Sequence, residues 1–334
     1  MAVLTVREAS RRALDLARLW LCRAWWDMRR RGGQLWIIRS GRQLCWRARM
    51  RANDGVCSVE IASRYVGFFG QMNWCLFIFQ YCECKGLSPD IRLTGDIYLD
   101  STRGPNWLKY YFDACTPITK DEIDKRVRYT KKISDFKGMG PPIAPELTVR
   151  EGSRILYKYL HPKANITSLV ETFWQNRDVD DPVLGVHFRG TDKSSEAPRV
   201  SWCHCLTVVK NYLRNHNAVF VASDEEEFIK FIKKSLTEVP VISYNDHYRS
   251  RDDRPVHTAI EGGGYEKGED ALVNSLLLAK CSTLVRTTSF LSAWASIFNP
   301  DLKVILLNKP YDNRLWYPER EILRRPGTEY VPEL

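Results

Sequence analysis

The stretch of the chain best equipped for chemistry is residues 182–193, PVLGVHFRGTDK. Its apolar, β-branched first part predicts a buried parallel strand. Ligands in open α/β sheets lie beyond the carboxyl ends of the strands, so the polar groups that follow predict a site. The alternative, a salt-bridged polar turn, explains one basic residue better than several different groups. These groups are the imidazole of His187, the guanidinium of Arg189, the carboxylate of Asp192 and the ammonium of Lys193. The carboxylate of Glu196 follows just after the stretch.

Two more predicted strands end in polar residues. The strand at 218–222 is followed by Ser223-Asp224-Glu225, whose acids either serve a ligand or cap the helix predicted at 226–236. The strand at 283–286 leads into a hydroxyl-rich turn where a helix begins, and a helix start offers backbone N–H groups to an anion. That turn is Thr287, Thr288 and Ser289.

The elements that must position these groups alternate between strand and helix, which predicts a Rossmann-like domain with a parallel sheet. Strands are predicted at 183–188, 218–222, 240–243, 283–286 and 303–307, and helices near 203–214, 226–236, 269–280 and 290–298. A loop of about 24 residues, 245–268, exceeds ordinary connections, which indicates a functional segment or a mobile one.

The first half predicts a similar strand–turn–helix–strand unit. A strand within residues 56–65 is followed by a glycine turn, 67–73, and an apolar helix at 74–84. Gly67 and Gly70 either allow tight packing or let backbone approach a ligand. Residues 118–177 are predicted mostly helical, and the preceding aromatic cluster is either core or a surface that stacks on sugars. That cluster is Trp107, Tyr110, Tyr111 and Phe112.

A length of 334 residues with 44% hydrophobic content is enough for two domains with sizeable cores. We place the boundaries at 1–55 for an Arg/Trp-rich extension, 56–175 for an N-terminal Rossmann-like domain and 176–334 for a C-terminal one.

Three motifs of the second half, 185–193, 221–224 and 268–289, resemble those of the nodulation fucosyltransferase (NodZ-like) family and the related core α-1,6-fucosyltransferase. The glycine turn at 67–73 is similar to one near the start of that catalytic domain. The resemblance covers roughly residues 60–310.

The resemblance implies a GT-B fold, in which two Rossmann-like domains face each other across a cleft and the C-terminal one holds GDP-fucose. It also implies transfer with inversion, no metal and no cofactor beyond the donor substrate. The family's essential arginine corresponds to Arg189, its nucleotide-contacting histidine to His187, and the aspartate after the next strand to Asp224. The core enzyme has a second arginine where this chain has Gly190, so that contact is either missing or supplied by residues 249–254.

The residue types suit this chemistry. A departing diphosphate needs positive charge, which Arg189 offers as a bidentate fork, Lys193 as a point charge and the helix after Ser289 as N–H groups. Asp224 can accept from N1–H and the N2 amine of guanine. The acceptor hydroxyl must also give its proton to a carboxylate. Glu196 is our candidate, and Asp192 competes with it.

Two Asp-rich stretches imitate the metal-binding D-x-D of other glycosyltransferases. Residues 178–181 precede a strand, at the end opposite to the site, and are interpreted as a solvated loop. Asp252-Asp253 is more ambiguous. The expected enzyme is therefore a metal-independent transferase of fucose to a glycan. A transferase of another GDP-linked sugar and a non-catalytic glycan- or nucleotide-binding protein are the alternatives.

The net charge of +10 lies entirely in residues 1–51, which hold 13 Arg and three acidic residues. The remainder has 37 basic and 37 acidic residues, which argues against nucleic-acid binding. With five of the 11 Trp, the extension is typical of a basic amphipathic helix on an anionic membrane; a transit-like segment and a disordered extension are alternatives.

The ten cysteines include no C-x-x-C pair, which favours a reducing compartment over a disulfide framework or a zinc site. Cys75, Cys82 and Cys281 fall in apolar helical patterns and are expected to be buried. We expect a cytoplasmic protein, peripheral to a membrane if the extension binds one, and leave the secretory pathway (Golgi) open.

Overall fold

The computed structural model describes residues 55–115, 117–119, 127–132, 147–177, 179, 181–190, 196–244 and 263–333. The arginine-rich segment up to residue 54 therefore lies outside the described residues. The described part forms two parallel sheets with helices packed around them, together with a two-stranded antiparallel ribbon.

The N-terminal half contains a three-stranded parallel sheet in the order β2-β1-β4. The antiparallel pair β3-β5 lies beside it. The elements in chain order are β1 (Gly55–Ile61), α1 (Phe68–Lys85), β2 (Ser88–Leu93), α2 (Leu108–Tyr111), β3 (Phe112–Ala114), β4 (Val127–Lys132), α3 (Val149–Tyr159), β5 (Leu160–Pro162) and α4 (Ala164–Gln175). A short 3-10 helix, Asp96–Tyr98, follows β2.

Helix α1 begins six residues earlier than the sequence predicts. Gly67 is its extended N-cap residue, and Gly70 lies within the first helical turn rather than in a loop. The glycine turn predicted at 67–73 is therefore wrong beyond its first residue. Burial explains the difference, because Phe68, Phe69 and Met72 gain apolar contacts by continuing the helix through this stretch.

The prediction that residues 118–177 are mostly helical is wrong at β4 and β5. Strand β4 pairs in parallel with β1, with Cys57 opposite Tyr129. Its sequence, VRYTKK, has no apolar period to reveal it. Helices α3 and α4 are confirmed, and α3 begins with a capping box in which Thr148 and Glu151 satisfy each other's backbone N–H groups.

The C-terminal half forms a six-stranded parallel sheet in the order β11-β10-β9-β6-β7-β8. The elements are β6 (Val183–Phe188), α5 (Trp202–Leu213), β7 (Ala218–Ser223), α6 (Glu226–Ser235), β8 (Val241–Ile242), α7 (Gly264–Lys280), β9 (Thr283–Arg286), α8 (Phe290–Phe298), β10 (Lys303–Leu306), α9 (Glu319–Arg324) and β11 (Thr328–Tyr330). The chain order reverses between β6 and β9, and this switch point is where doubly wound sheets bind ligands.

The two faces of this sheet have different cores. Helices α5 and α6 cover one face with a core of their own, which includes Val186, Phe228 and Ile305. Helices α7 and α8 cover the other face and share a core with the N-terminal half. Trp294 of α8, for example, lies 5.4 Å from Phe69 of α1, measured between ring centroids. The two halves are thus packed together beneath the switch point.

Predicted core residues are confirmed in both halves. Cys75, Cys82 and Cys281 are buried, as expected for cysteines that act as small hydrophobic residues. The aromatic cluster at 107–112 is also buried, which confirms core rather than a surface that stacks on sugars. Its members Trp107, Tyr110, Tyr111 and Phe112 are all less than one-tenth exposed.

Candidate functional site at the switch point

The carboxyl ends of β6 and β9 meet at the switch point and are hydrogen-bonded to each other. His187 lies opposite Arg286 in the ladder between the two strands. The N–H of Thr287 donates to the carbonyl of His187 at 3.0 Å, and the N–H of Arg189 donates to Oγ1 of Thr287 at 2.8 Å. The first and third predicted motifs therefore form one site, as their placement after neighbouring strands requires.

Arg189 and Asp224 meet across the ends of β6 and β7. Nε of Arg189 lies 3.6 Å from Oδ2 of Asp224, and the two side chains are 21% and 13% exposed. Asp224 is not the N-cap residue of α6, because Glu225 occupies that position, without a side-chain cap hydrogen bond. Asp224 lies instead beside the guanidinium of Arg189.

Gly190 allows the carboxylate of Glu225 to approach the turn after β6. A Cβ atom at Gly190 would lie 2.0 Å from Oε1 of Glu225. The indole N–H of Trp202 donates to Oε2 of the same carboxylate at 3.0 Å, which holds it there. A larger side chain at Gly190 would therefore have to displace this carboxylate from the indole of Trp202.

His187 is buried between two cations. Burial lowers the pKa of His187 well below its usual value, and the positive charges of Arg286 and Arg189 lower it further. Its Nδ1 is buried and has no hydrogen-bond partner among the described residues. A neutral imidazole with an unused ring nitrogen suits a hydrogen bond to a bound ligand.

The turn at 287–289 differs from the prediction in its chemistry. Its three N–H groups already have protein acceptors: the carbonyl of His187, Oδ1 of Asn308 at 2.7 Å and Oε1 of Glu319 at 3.0 Å. They are buried and cannot also hold a phosphate. The first hydrogen bond of α8 runs from the N–H of Ala293 to the carbonyl of Ser289. The N–H groups of the first helical turn that make no hydrogen bond within α8 are therefore those of the next residues: Phe290, Leu291 and Ser292.

A fully buried ion pair, which sequence reasoning missed, fixes this turn. Arg286 is 0% and Glu319 2% exposed. Nη1 of Arg286 donates to Oε2 of Glu319 at 3.0 Å, and Nη2 donates to the other carboxylate oxygen. Nη2 also donates to the carbonyl of Ser289 at 2.9 Å. The pair therefore shapes the turn between β9 and α8.

Glu196 begins the described segment that returns from the site. Its backbone carbonyl accepts from the N–H of Tyr311 at 2.8 Å. The amide of Asn308 donates to the carbonyl of Pro198 at 2.7 Å, which anchors the same segment to the loop after β10. A small cavity separates this segment from the turn after β6 and is lined by Arg189, Gly190, Ala197, Arg199 and Asn308, among others. Asp192 and Lys193 lie outside the described residues.

The N-terminal half reaches the site through α1 and the 3-10 helix. A Cβ atom at Gly70 would lie 2.5 Å from Cγ1 of Val66 and 3.8 Å from the ring of Phe290. Gly67 precedes α1, and a Cβ there would lie 3.9 Å from the hydroxyl of Tyr98. Gly70 is therefore a close packing contact between α1 and the start of α8, which favours the packing interpretation over a ligand contact.

Tyr98 joins the 3-10 helix to the start of α1, because its hydroxyl accepts from the N–H of Phe68 at 2.8 Å. Burial raises the pKa of Tyr98 to about 12, against the opposing effects of this hydrogen bond and of the Arg189 charge.

Among the described residues, no three His, Cys, Asp or Glu side chains are placed to hold a metal ion. Asp178, Asp180 and the ambiguous Asp252-Asp253 lie outside the described part, as does the loop at 249–254. In the same part of the chain, no helix has both the length and the apolar character that a membrane span requires.

The fold is shared with solved fucosyltransferases. A crystal structure of NodZ alpha-1,6-fucosyltransferase soaked with GDP-fucose has a TM-score of 0.51 and 14% identity, over 78% of this chain and 100% of that one. Selenomethionine fucosyltransferase NodZ from Bradyrhizobium gives 0.50 and 14%, over 76% and 95%. The sequence matches no family profile and no curated protein. The GT-B-like fold predicted from the motifs is thus confirmed.

Proposed function

We propose that this chain is a glycosyltransferase that transfers fucose from GDP-fucose to a glycan. The observation that carries the proposal is the meeting of Arg189, Asp224 and His187 at the switch point. A NodZ crystal of the same fold was soaked with GDP-fucose, which supports this choice of donor. The proposal assigns the donor to the carboxyl edge of the six-stranded sheet.

Each of these groups has a role in holding the donor. Arg189 presents its guanidinium to the diphosphate, where two parallel N–H donors match two phosphate oxygens. The helix start at Phe290 supplies N–H groups to the same anion. His187, kept neutral by its surroundings, hydrogen-bonds the nucleotide through Nδ1, and Asp224 accepts from guanine while it orients Arg189.

The transfer step needs a base for the acceptor hydroxyl and charge neutralisation for the leaving diphosphate. We assign the base to Glu196, whose chain neighbour Ala197 lines the cavity beside Arg189. Attack by the hydroxyl oxygen on the anomeric carbon breaks its bond to the diphosphate, and the proton passes to the carboxylate. Because this is a single displacement, it inverts the anomeric centre. Arg189 and Lys193 stabilise the departing charge in place of a metal.

Release of GDP from GDP-fucose, with and without glycan acceptors and with and without EDTA, tests the proposal. We expect slow donor hydrolysis without an acceptor, faster turnover with one, and no loss on chelation. A strict need for Mg²⁺ or Mn²⁺ would make Asp252-Asp253 metal ligands. Binding of GDP without any turnover would instead favour the non-catalytic alternative.

Calorimetric titration with GDP tests the assignment of Asp224. Asp224→Asn should weaken GDP binding by about tenfold or more, because it removes one acceptor from the guanine edge and the charge that orients Arg189. Asp181→Asn, which alters an acid at the opposite end of β6, is the control. Unchanged GDP affinity in Asp224→Asn would remove this residue from the donor site.

We also propose that residues 1–51 bring a cytoplasmic enzyme to anionic membranes. Their +10 charge supports electrostatic attraction to such lipids. Deletion of residues 1–50 should leave donor turnover intact and abolish sedimentation with phosphatidylserine vesicles. Equal sedimentation of the truncated and full chains would contradict this proposal.

A further inference from the structure

The loop between β1 and α1 exposes an aromatic ring. Tyr65 is 88% exposed, whereas the next most exposed large hydrophobic residues among those described, Tyr311 and Tyr330, are 45% and 43% exposed. Burying an aromatic ring is favourable in free energy, so this ring is available to a ligand that covers it.

The backbone on both sides of Tyr65 is held in place. A Cβ atom at Gly95 would lie 2.1 Å from the carbonyl oxygen of Ser63, so the loops after β1 and β2 are in direct contact. Oγ of Ser63 accepts from the N–H of Val66 at 3.2 Å. The amide of Gln71 in α1 donates to the carbonyl of Val66 at 2.8 Å. The loop therefore presents the ring from a fixed position.

The groups beside Tyr65 form a neutral, polar rim. Nε of Arg64 lies 3.1 Å from Oδ2 of Asp96, and both side chains are more than half exposed. Such an exposed pair contributes little to stability. It does offer hydrogen-bond donors and acceptors without net charge, which suits a neutral ligand rich in hydroxyl groups.

This loop lies on the side of the N-terminal half that packs against the start of α8, beside the proposed donor site. Val66 packs against Gly70, which in turn lies against Phe290 at the start of α8. Asp96, which pairs with Arg64, begins the 3-10 helix that ends at Tyr98, whose hydroxyl accepts from the N–H of Phe68 at the start of α1 at 2.8 Å. A ligand on Tyr65 would therefore lie next to the contact between α1 and the start of α8.

We propose that Tyr65 is the platform for the acceptor, with its ring stacked on the apolar face of a neutral pyranose and with Arg64 and Asp96 bound to the sugar hydroxyls. This inference rests on the proposed function, because it assigns the acceptor class to the cleft. A sugar is favoured over a polypeptide because the rim combines one flat ring with a charge-compensated pair, and the apolar face and hydroxyl edge of a pyranose match both.

The test compares full-length variants on an array of immobilised neutral oligosaccharides, with saturating GDP. Tyr65→Ala should lower retention of the glycans that the wild type binds by about tenfold or more. Tyr65→Phe, which keeps the ring, should retain them. Tyr330→Ala, which removes a half-exposed tyrosine from β11, is the matched control and should behave as wild type.

Equal retention by Tyr65→Ala and wild type would overturn the platform, and so would a wild type that retains no glycan. Transfer to a folded protein at equal rates by Tyr65→Ala and wild type would overturn it in favour of a polypeptide acceptor. GDP calorimetry separates the two proposals. If GDP binds normally and glycan binding does not depend on Tyr65, only the platform is refuted. If glycan binding depends on Tyr65 but GDP does not bind, only the transferase is refuted.

Discussion

The turns after β6 and β9 are neighbours at the switch point, and each joins an arginine to a carboxylate from elsewhere in the chain. After β6, Arg189 is 21% exposed and lies 3.6 Å from Asp224. In the second turn, Arg286 is wholly buried and bonds to Glu319 and to the carbonyl of Ser289. An arginine–carboxylate pair thus occurs once in an accessible turn, after β6, and once in a closed turn, after β9.

Burial separates the two arginines. A buried pair with matched donors and acceptors fixes its surroundings, and its charges are unavailable to a ligand. The side chain of Arg189 is 21% exposed and is thus accessible to an anion. Under the proposed function Arg189 binds the donor, whereas Arg286 organises its turn, so substitutions at the two turns should act on different properties.

The largest effect is expected at the accessible turn. Arg189→Ala should lower transfer by about 10⁴-fold, the range seen when an arginine that stabilises a transferring phosphoryl group is removed. Arg189→Lys should recover little, because a single ammonium lacks the fork geometry. Steady-state turnover of GDP-fucose measures both variants, and a thermal melt should show little change. Near-normal turnover in Arg189→Ala would refute the site.

Substitution at the buried ion pair of the closed turn should chiefly lower the stability of the protein. Glu319→Gln leaves the buried Arg286 charge uncompensated, so the free energy of unfolding should fall by about 3–5 kcal/mol. Urea denaturation measures the loss. The control is Glu227→Gln on α6, whose carboxylate pairs with Lys230 at 2.9 Å on the surface, and it should cost less than about 1 kcal/mol. Equal losses in the two variants would mean that burial does not separate the turns.

A smaller catalytic effect is expected at the segment that faces the accessible turn. Glu196→Gln should lower transfer by about 10²-fold with unchanged GDP affinity, because the carboxylate acts on the acceptor proton and not on the nucleotide. Asp192→Asn is the companion variant and should remain active. Normal transfer in Glu196→Gln together with loss in Asp192→Asn would move the base to Asp192.

The positions of both turns were predictable from sequence, but the buried ion pair of the closed turn was not. The buried strand before Arg189 is marked by an apolar run, and the alternation of strands and helices places its end beside those of its neighbours. Glu319 follows Arg286 by 33 residues, within a short helix that no local pattern connects to the site. Only the packed structure shows that Glu319 takes the N–H of Ser289 and the charge of Arg286.

The N-terminal half shows the same limit. Strand β4 contains strand-favouring Val, Tyr and Thr, but its polar residues leave too short an apolar pattern to identify it, and its partner β1 lies far along the chain. The sequence leaves the aromatic cluster at 107–112 open between core and stacking on sugars, and it gives no signal for Tyr65; the structure buries the cluster and exposes Tyr65. Exposure of a single ring depends on how the loops fold around it, which residue type alone does not determine.

His187 joins the two turns, and its titration gives the last prediction. Burial and the charges of Arg286 and Arg189 lower its pKa in the folded protein well below 6.5, whereas in the unfolded chain it stays near 6.5. Below pH 6.5 the unfolded state therefore binds the extra proton, and stability falls as the pH falls towards the folded-state pKa. The loss in the free energy of unfolding should approach 1.4 kcal/mol per pH unit.

Urea denaturation between pH 7 and pH 5 measures this loss. The free energy of unfolding should depend less on pH in His187→Asn than in wild type, whereas His161→Asn, the control at an exposed histidine, should keep the wild-type slope. Parallel profiles for His187→Asn and wild type would show that the two arginines do not hold this imidazole neutral.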